Sequence, residues 1–135
     1  MFIENCSKKD IIRGKHQDAG ENSVLIQIKD PDWDYAVPYA KFKEVYQFSF
    51  SDVKIPCQED SAHAITHEQA RQIAGILKHA KANNMNVIVH CVVGRCRSGA
   101  VVEAGISIGF SDPYKKRNPN LLVLSSIKNY LTKEK

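Results

Sequence analysis

His90-Cys91-Val92-Val93-Gly94-Arg95-Cys96-Arg97-Ser98 places a thiol and a guanidinium at the two ends of one short segment. Before it, Asn86-Val87-Ile88-Val89 is a β-branched apolar run of strand length. After it, Ser98 to Gly109 has the small and apolar residues of a helix packed back on a sheet. A loop at such a junction turns successive backbone N–H groups into one concavity with a helix N-terminus behind it, which is an anion site. The expected chemistry is attack by Cys91 on a phosphate held by Val92, Val93, Gly94, Arg95, Cys96 and Arg97.

Hydrolysis of a phosphate ester needs a nucleophile, a grip on the phosphoryl oxygens and a proton for the leaving oxygen. Cys91 is the candidate nucleophile, because loop N–H groups, the helix N-terminus and Arg97 all favour a thiolate. Arg97 offers a planar fork for two phosphoryl oxygens and stays charged, which lysine would do less well in this geometry. Gly94 fits a turn at which a side chain would crowd the phosphate.

His-Cys-x5-Arg-Ser resembles the motif of the cysteine-dependent protein tyrosine phosphatases, and the short chain looks most like their compact dual-specificity type. The strong match covers those nine residues; elsewhere the likeness lies in the order of strands and helices. The resemblance implies hydrolysis of phosphotyrosine, with phosphoserine and phosphothreonine as further substrates, through a phosphocysteine intermediate and without metal or cofactor. It implies that Ser98 helps the thiolate leave and that His90 orders the loop by hydrogen bonds. It also implies a general acid, an Asp on a loop after an upstream strand. Asp52 directly follows an apolar run and is favoured for that reason. Asp60 stands closer to the family's habitual spacing and is the alternative.

Two residues depart from the commonest dual-specificity pattern. Arg95 puts a second cation beside the loop, as in some lipid and polyphosphate phosphatases of the superfamily. It opens the alternative of a phosphoinositide or a nucleic-acid 5′-phosphate in place of a phosphorylated protein. Cys96 gives a spacing similar to the low-molecular-weight tyrosine phosphatases, whose acid follows the loop. Asp112-Pro113-Tyr114 is too near Cys91 for that order and reads as a turn. Cys96 could also condense with an oxidised Cys91, or simply fill the space usually taken by Ser. A sulfurtransferase is disfavoured by His90 and by the Arg97-Ser98 pair. A phosphate-reading module without turnover would be expected to lose Cys91 or Arg97.

With 135 residues, 43% hydrophobic and 25% charged, the chain is expected to form one catalytic domain over residues 1–135. Cys6, Cys57, Cys91 and Cys96 show no zinc-type pairing. His63 and His67 stand four apart without a third ligand. No signal-type apolar run follows Met1, and no stretch approaches membrane-spanning length. A reduced cytoplasm is the expected compartment. The net charge of +4 mildly favours anionic substrates and is too small to argue for nucleic acid.

Around the loop, Ser7 can cap a short helix through Ile11 and Ile12. Val24–Ile28 and Val45–Phe50 read as strands, separated by a Pro-bearing loop from Asp30 to Tyr39 whose Trp33, Tyr35 and Tyr39 could wall a substrate cleft. Thr66 and Gln69 form a capping box for a helix carrying Ala70, Ile73, Ala74, Leu77 and Ala80. Asn118-Pro119 is expected to open a last helix with Leu122, Ile127, Tyr130 and Leu131 on one face. Lys115-Lys116-Arg117 reads as a solvated turn. Strands separated by helices predict an α/β three-layer sandwich around a largely parallel sheet of about four or five strands. Ligands in such sheets lie beyond the C-terminal strand ends, where Cys91 falls.

Overall fold

Three apolar runs and one mixed segment pair as parallel strands. The structure, a computed structural model, describes residues 1–14, 19–53 and 63–132. Its strands are β1 (Ile3–Ser7), β2 (Ser23–Lys29), β3 (Glu44–Ser49) and β4 (Asn86–Cys91), in the spatial order β1-β4-β2-β3. All three pairings are parallel. The helices are α1 (Lys8–Arg13), α2 (His67–Ala82), α3 (Arg97–Ser107) and α4 (Leu121–Thr132).

Alternation along the strands sends their side chains to two unlike faces. Ile3, Val24, Ile26, Ile28, Val87 and Val89 point to one face. There they meet Ile73 and Leu77 of α2, Val101 of α3, and Val123 and Ile127 of α4. Full burial of each Leu or Ile here contributes about 1.5–3 kcal/mol. The opposite face carries Cys6, Leu25 and Ile88 under Ile11, Ala19 and Ala36. The β2–β3 connection has no helix: residues 30–43 cross that face as a loop, with Ala36 O accepting from Gln27 Nε2 at 2.8 Å. Among the described residues the third layer is therefore one short helix and a loop.

The capping box of α2 forms in both directions, Gln69 N to Thr66 Oγ1 at 3.0 Å and Thr66 N to Gln69 Oε1 at 2.9 Å. Ser7 caps α1 by accepting from Asp10 N at 3.2 Å. One strand was not named from the sequence, and one helix start is corrected. Ile3–Ser7 is a strand, hidden in the sequence because Glu4, Asn5 and Ser7 break the apolar signal; its ladder to β4 holds it. The last helix is capped by Asn120, not Asn118: Asn120 Oδ1 accepts from Leu122 N at 3.0 Å and Val123 N at 3.1 Å, so Pro119 lies outside the helix.

Candidate active site

β4 runs two residues past the apolar run and ends on Cys91, while α3 begins on Arg97. The sequence's Ser98–Gly109 helix is thus shifted to Arg97–Ser107. Between the two elements the chain closes around the thiol. Gly94 N–H donates to Cys91 Sγ at 3.3 Å, and the Ser98 hydroxyl lies 3.3 Å from the same sulfur. Gly94 has φ +85°, and a Cβ there would stand 2.3 Å from the Cys6 carbonyl carbon. Both the left-handed backbone and the close approach require glycine.

Four carbonyls of the loop are bound by groups outside it. Lys8 N donates to Val92 O at 3.2 Å, Asn5 Nδ2 to Gly94 O at 2.6 Å, Asn118 N to Arg95 O at 3.0 Å and Asn120 N to Cys96 O at 2.9 Å. In a trans peptide the N–H of the next residue points opposite to the carbonyl. The N–H groups of Val93, Arg95, Cys96 and Arg97 therefore face the interior of the loop. N–H groups so turned, together with the Gly94 N–H on the sulfur, are the donors that an anion at this loop would need.

Arg97 is buried and held from two strand ends. Its Nη1 donates to Asp30 Oδ1 at 3.2 Å and to Phe50 O at 2.8 Å, and its Nη2 donates to Asp30 Oδ2 at 3.3 Å. Three of the five guanidinium N–H groups are taken by this end-on pairing. The Nε–H and one Nη2–H remain for two oxygens of an anion. Asp30 was not foreseen, although it follows β2 just as Asp52 follows β3; the rule that singled out Asp52 applies to it equally.

Asp52 lies two residues past the carbonyl that receives Arg97. Its Oδ1 accepts from Asn120 Nδ2 at 2.6 Å, and Asn120 also donates to Val53 O at 3.0 Å. Because the backbone N–H of Asn120 binds the loop at Cys96, one residue links Asp52 to the loop. Asp60 and Cys57 lie outside the described residues.

His90 is buried on the face opposite Cys91. Burial, with a smaller contribution from the charge of Lys8, pushes its pKa down to about 4, against the raising effect of its contact with the Cys91 carbonyl. A carbonyl can only accept, so the neutral ring carries its proton on Nδ1, 3.4 Å from Cys91 O. Nε2 has no partner among the described residues. Cys6 pairs in register with His90 and shares its face, so its thiol lies across the sheet from Cys91. Burial pushes the Cys6 thiol far above its ordinary range. Cys96 is half-buried at the start of α3. Val92, Val93 and Arg95 complete the loop, with Val93 and Arg95 exposed.

Trp33 lines a cavity of about 440 Å³ with Asp30, Pro31, Asp32, Ser51 and His63, beside the Arg97–Asp30 pair. Tyr35 lies under Lys29 and Tyr39 lines a separate pocket, while Trp33 shares its cavity with Asp30. His67 starts α2 as an exposed residue. Asp112 Oδ1 accepts from Tyr114 N at 2.7 Å, a turn as expected.

No protein-family model and no curated protein sequence matches the chain. Solved structures do. Human DUSP28 superposes with a TM-score of 0.64 at 13% identity, covering 96% of this chain and 90% of its own. The human tyrosine phosphatase-like serine/threonine/tyrosine-interacting protein gives 0.62 at 16% identity, with coverages of 92% and 87%. The fold is that of the dual-specificity phosphatases. A mouse protein described as a dual-specificity phosphatase, solved with zinc tungstate, gives 0.59 at 13% identity, with coverages of 94% and 80%. At these identities the likeness concerns the fold. The chemistry rests on the loop itself, and in this fold the loop sits at the C-terminal end of a central strand. No helix among the described residues is long and apolar enough to cross a membrane.

Proposed function

We propose that the protein is a phosphatase that hydrolyses phosphomonoesters, phosphotyrosine foremost, through a phosphocysteine intermediate. What supports this is the loop built around Cys91, with the Gly94 N–H and the Ser98 hydroxyl each 3.3 Å from its sulfur and the buried Arg97 at the loop's end held by Asp30 and the Phe50 carbonyl. Structures sharing the fold include one described as a dual-specificity phosphatase and one as a tyrosine phosphatase, which supports the reading at that general level.

In the proposed reaction the Cys91 thiolate attacks phosphorus and the ester P–O bond breaks. Arg97 and the loop N–H groups hold the three non-bridging oxygens as they flatten toward a plane, where charge stabilisation is strongest. Asp52 gives its proton to the leaving oxygen. Water then attacks the phosphocysteine, Asp52 takes a proton from it, and the S–P bond breaks to release inorganic phosphate. Ser98, 3.3 Å from Sγ, stabilises the departing thiolate by donating its hydroxyl proton. One catalytic domain over residues 1–135, acting in the cytoplasm, is the organisation we propose.

The test is a panel of phosphotyrosine, phosphoserine and phosphothreonine peptides beside an aryl phosphate, with and without EDTA. Turnover of phosphotyrosine and the aryl ester in both conditions supports the reading. Turnover of none of them, with phosphate still bound, would make the chain a phosphate-reading module.

A further inference from the structure

We propose that Arg95, Lys115 and Lys116 form a second anion subsite beside the phosphate loop, so that preferred substrates carry another phosphate next to the one removed. The inference rests on the phosphatase reading of the loop and adds the substrate class. It starts from the segment after α3, which the sequence presents as a solvated turn.

That segment is docked on the loop. Asn5 Nδ2 donates both to Gly94 O at 2.6 Å and to Lys116 O at 3.3 Å. Asn118 N binds Arg95 O at 3.0 Å, closing the other side. The three basic residues then divide. Arg117 turns away to Glu103, at 2.8 Å, and to Asp112, at 3.3 Å. Lys115 and Lys116 instead line a cavity of about 220 Å³ with Ser7, Val93, Gly94 and Arg95.

Asp10 also lines this cavity, so its charged groups are three cations and one carboxylate. The excess of positive charge is local and lies against the crest of the phosphate loop. The volume is below the roughly 300 Å³ at which pockets begin to hold drug-sized ligands. It suits a compact anion. A group bound there would be the second phosphate of the molecule whose first phosphate lies over Cys91. Multidentate charge at fixed spacing favours such a ligand over a monoester. A free polyphosphorylated small molecule and a lipid headgroup share this chemistry.

Binding can be measured by calorimetry on Cys91→Ser protein, using orthophosphate and tripolyphosphate as probes. The expected result is tripolyphosphate binding at least tenfold tighter. Lys115→Gln/Lys116→Gln in the same background should remove that preference and leave orthophosphate within twofold. Lys41→Gln/Lys43→Gln, an equal change in net charge outside the cavity, should leave it intact. Absence of the preference, or its persistence in the Lys115/Lys116 variant, overturns the subsite. Loss in both double variants alike would overturn it too, in favour of general charge. Turnover of an aryl phosphate by the native enzyme checks the underlying reading separately. A soluble inositol polyphosphate and the same headgroup in phosphatidylcholine vesicles then distinguish the sources: equal dependence on Lys115 and Lys116 supports the shared chemistry, and dependence on neither contradicts it.

Discussion

The two flanks of the phosphate loop are built from opposite charges. On the side of β2 and β3, the strand ends present Asp30, the Phe50 carbonyl and Asp52. On the side of β1, the chain presents Lys115, Lys116 and the exposed Arg95 around one cavity. The acidic flank is tightly bonded: Asp30 grips Arg97 and Asp52 is gripped by Asn120. The basic flank is fixed through its backbone, while Arg95 and Lys116 stay exposed. Groups that move protons or orient a guanidinium must be held rigidly, and strand ends do that. Groups that choose among ligands can sit on connecting segments.

The comparison breaks most severely at Arg97. Arg97→Lys cannot match Asp30 end-on while offering two further donors, so kcat should fall by about 10²–10³ with a smaller rise in KM. A loss confined to KM would make Arg97 a binding residue. Asp52→Asn should come next, and its effect should depend on the leaving group. A phenyl ester is expected to slow by about 10²-fold and a nitrophenyl ester far less, since the better leaving group needs no proton. If Asp60→Asn shows this pattern and Asp52→Asn does not, the acidic flank is wrongly assigned.

Asp30→Asn sharpens the comparison by separating orientation from chemistry. The amide keeps one acceptor but loses the charge and the second oxygen, so kcat should drop by about tenfold, without leaving-group dependence. Equal loss for all esters is the signature of a positioning residue. A leaving-group dependence like that of Asp52→Asn would instead make Asp30 a proton donor.

How much of this was legible depended on which residues announce themselves. Cys91, Arg97 and Gly94 did, because a thiol, a fork and a turn at that spacing have few other uses. The parallel sheet followed from apolar runs separated by helices. Asn5 was invisible, since the strand that carries it has too few apolar residues to be seen without its partner β4. Asn120 was passed over for Asn118-Pro119, a good local signal that loses to a side chain placed to cap two N–H groups and bind Asp52 together. Asp30 had a visible signal, its place just past a core strand, but its partner is distant in sequence.

A last expected effect concerns stability rather than turnover. The buried His90 resists protonation until about pH 4, whereas the unfolded chain takes the proton near 6.5. Its contribution is constant above pH ~6.5 and is lost as pH falls from there toward 4, on the order of 3 kcal/mol in all. Urea midpoints for native protein and His90→Asn should therefore converge or cross on acidification over that window. Parallel curves would mean that His90 is protonated in the fold.

The central claim is that Cys91 itself carries the phosphoryl group. Ser98→Ala enzyme turning over an aryl phosphate is quenched in denaturant, digested and analysed by mass spectrometry. One phosphoryl group on the peptide containing Cys91, absent from Cys91→Ser protein, is the predicted result. Continued turnover by Cys91→Ser, or an unmodified Cys91 peptide with phosphate on another residue, would contradict the account.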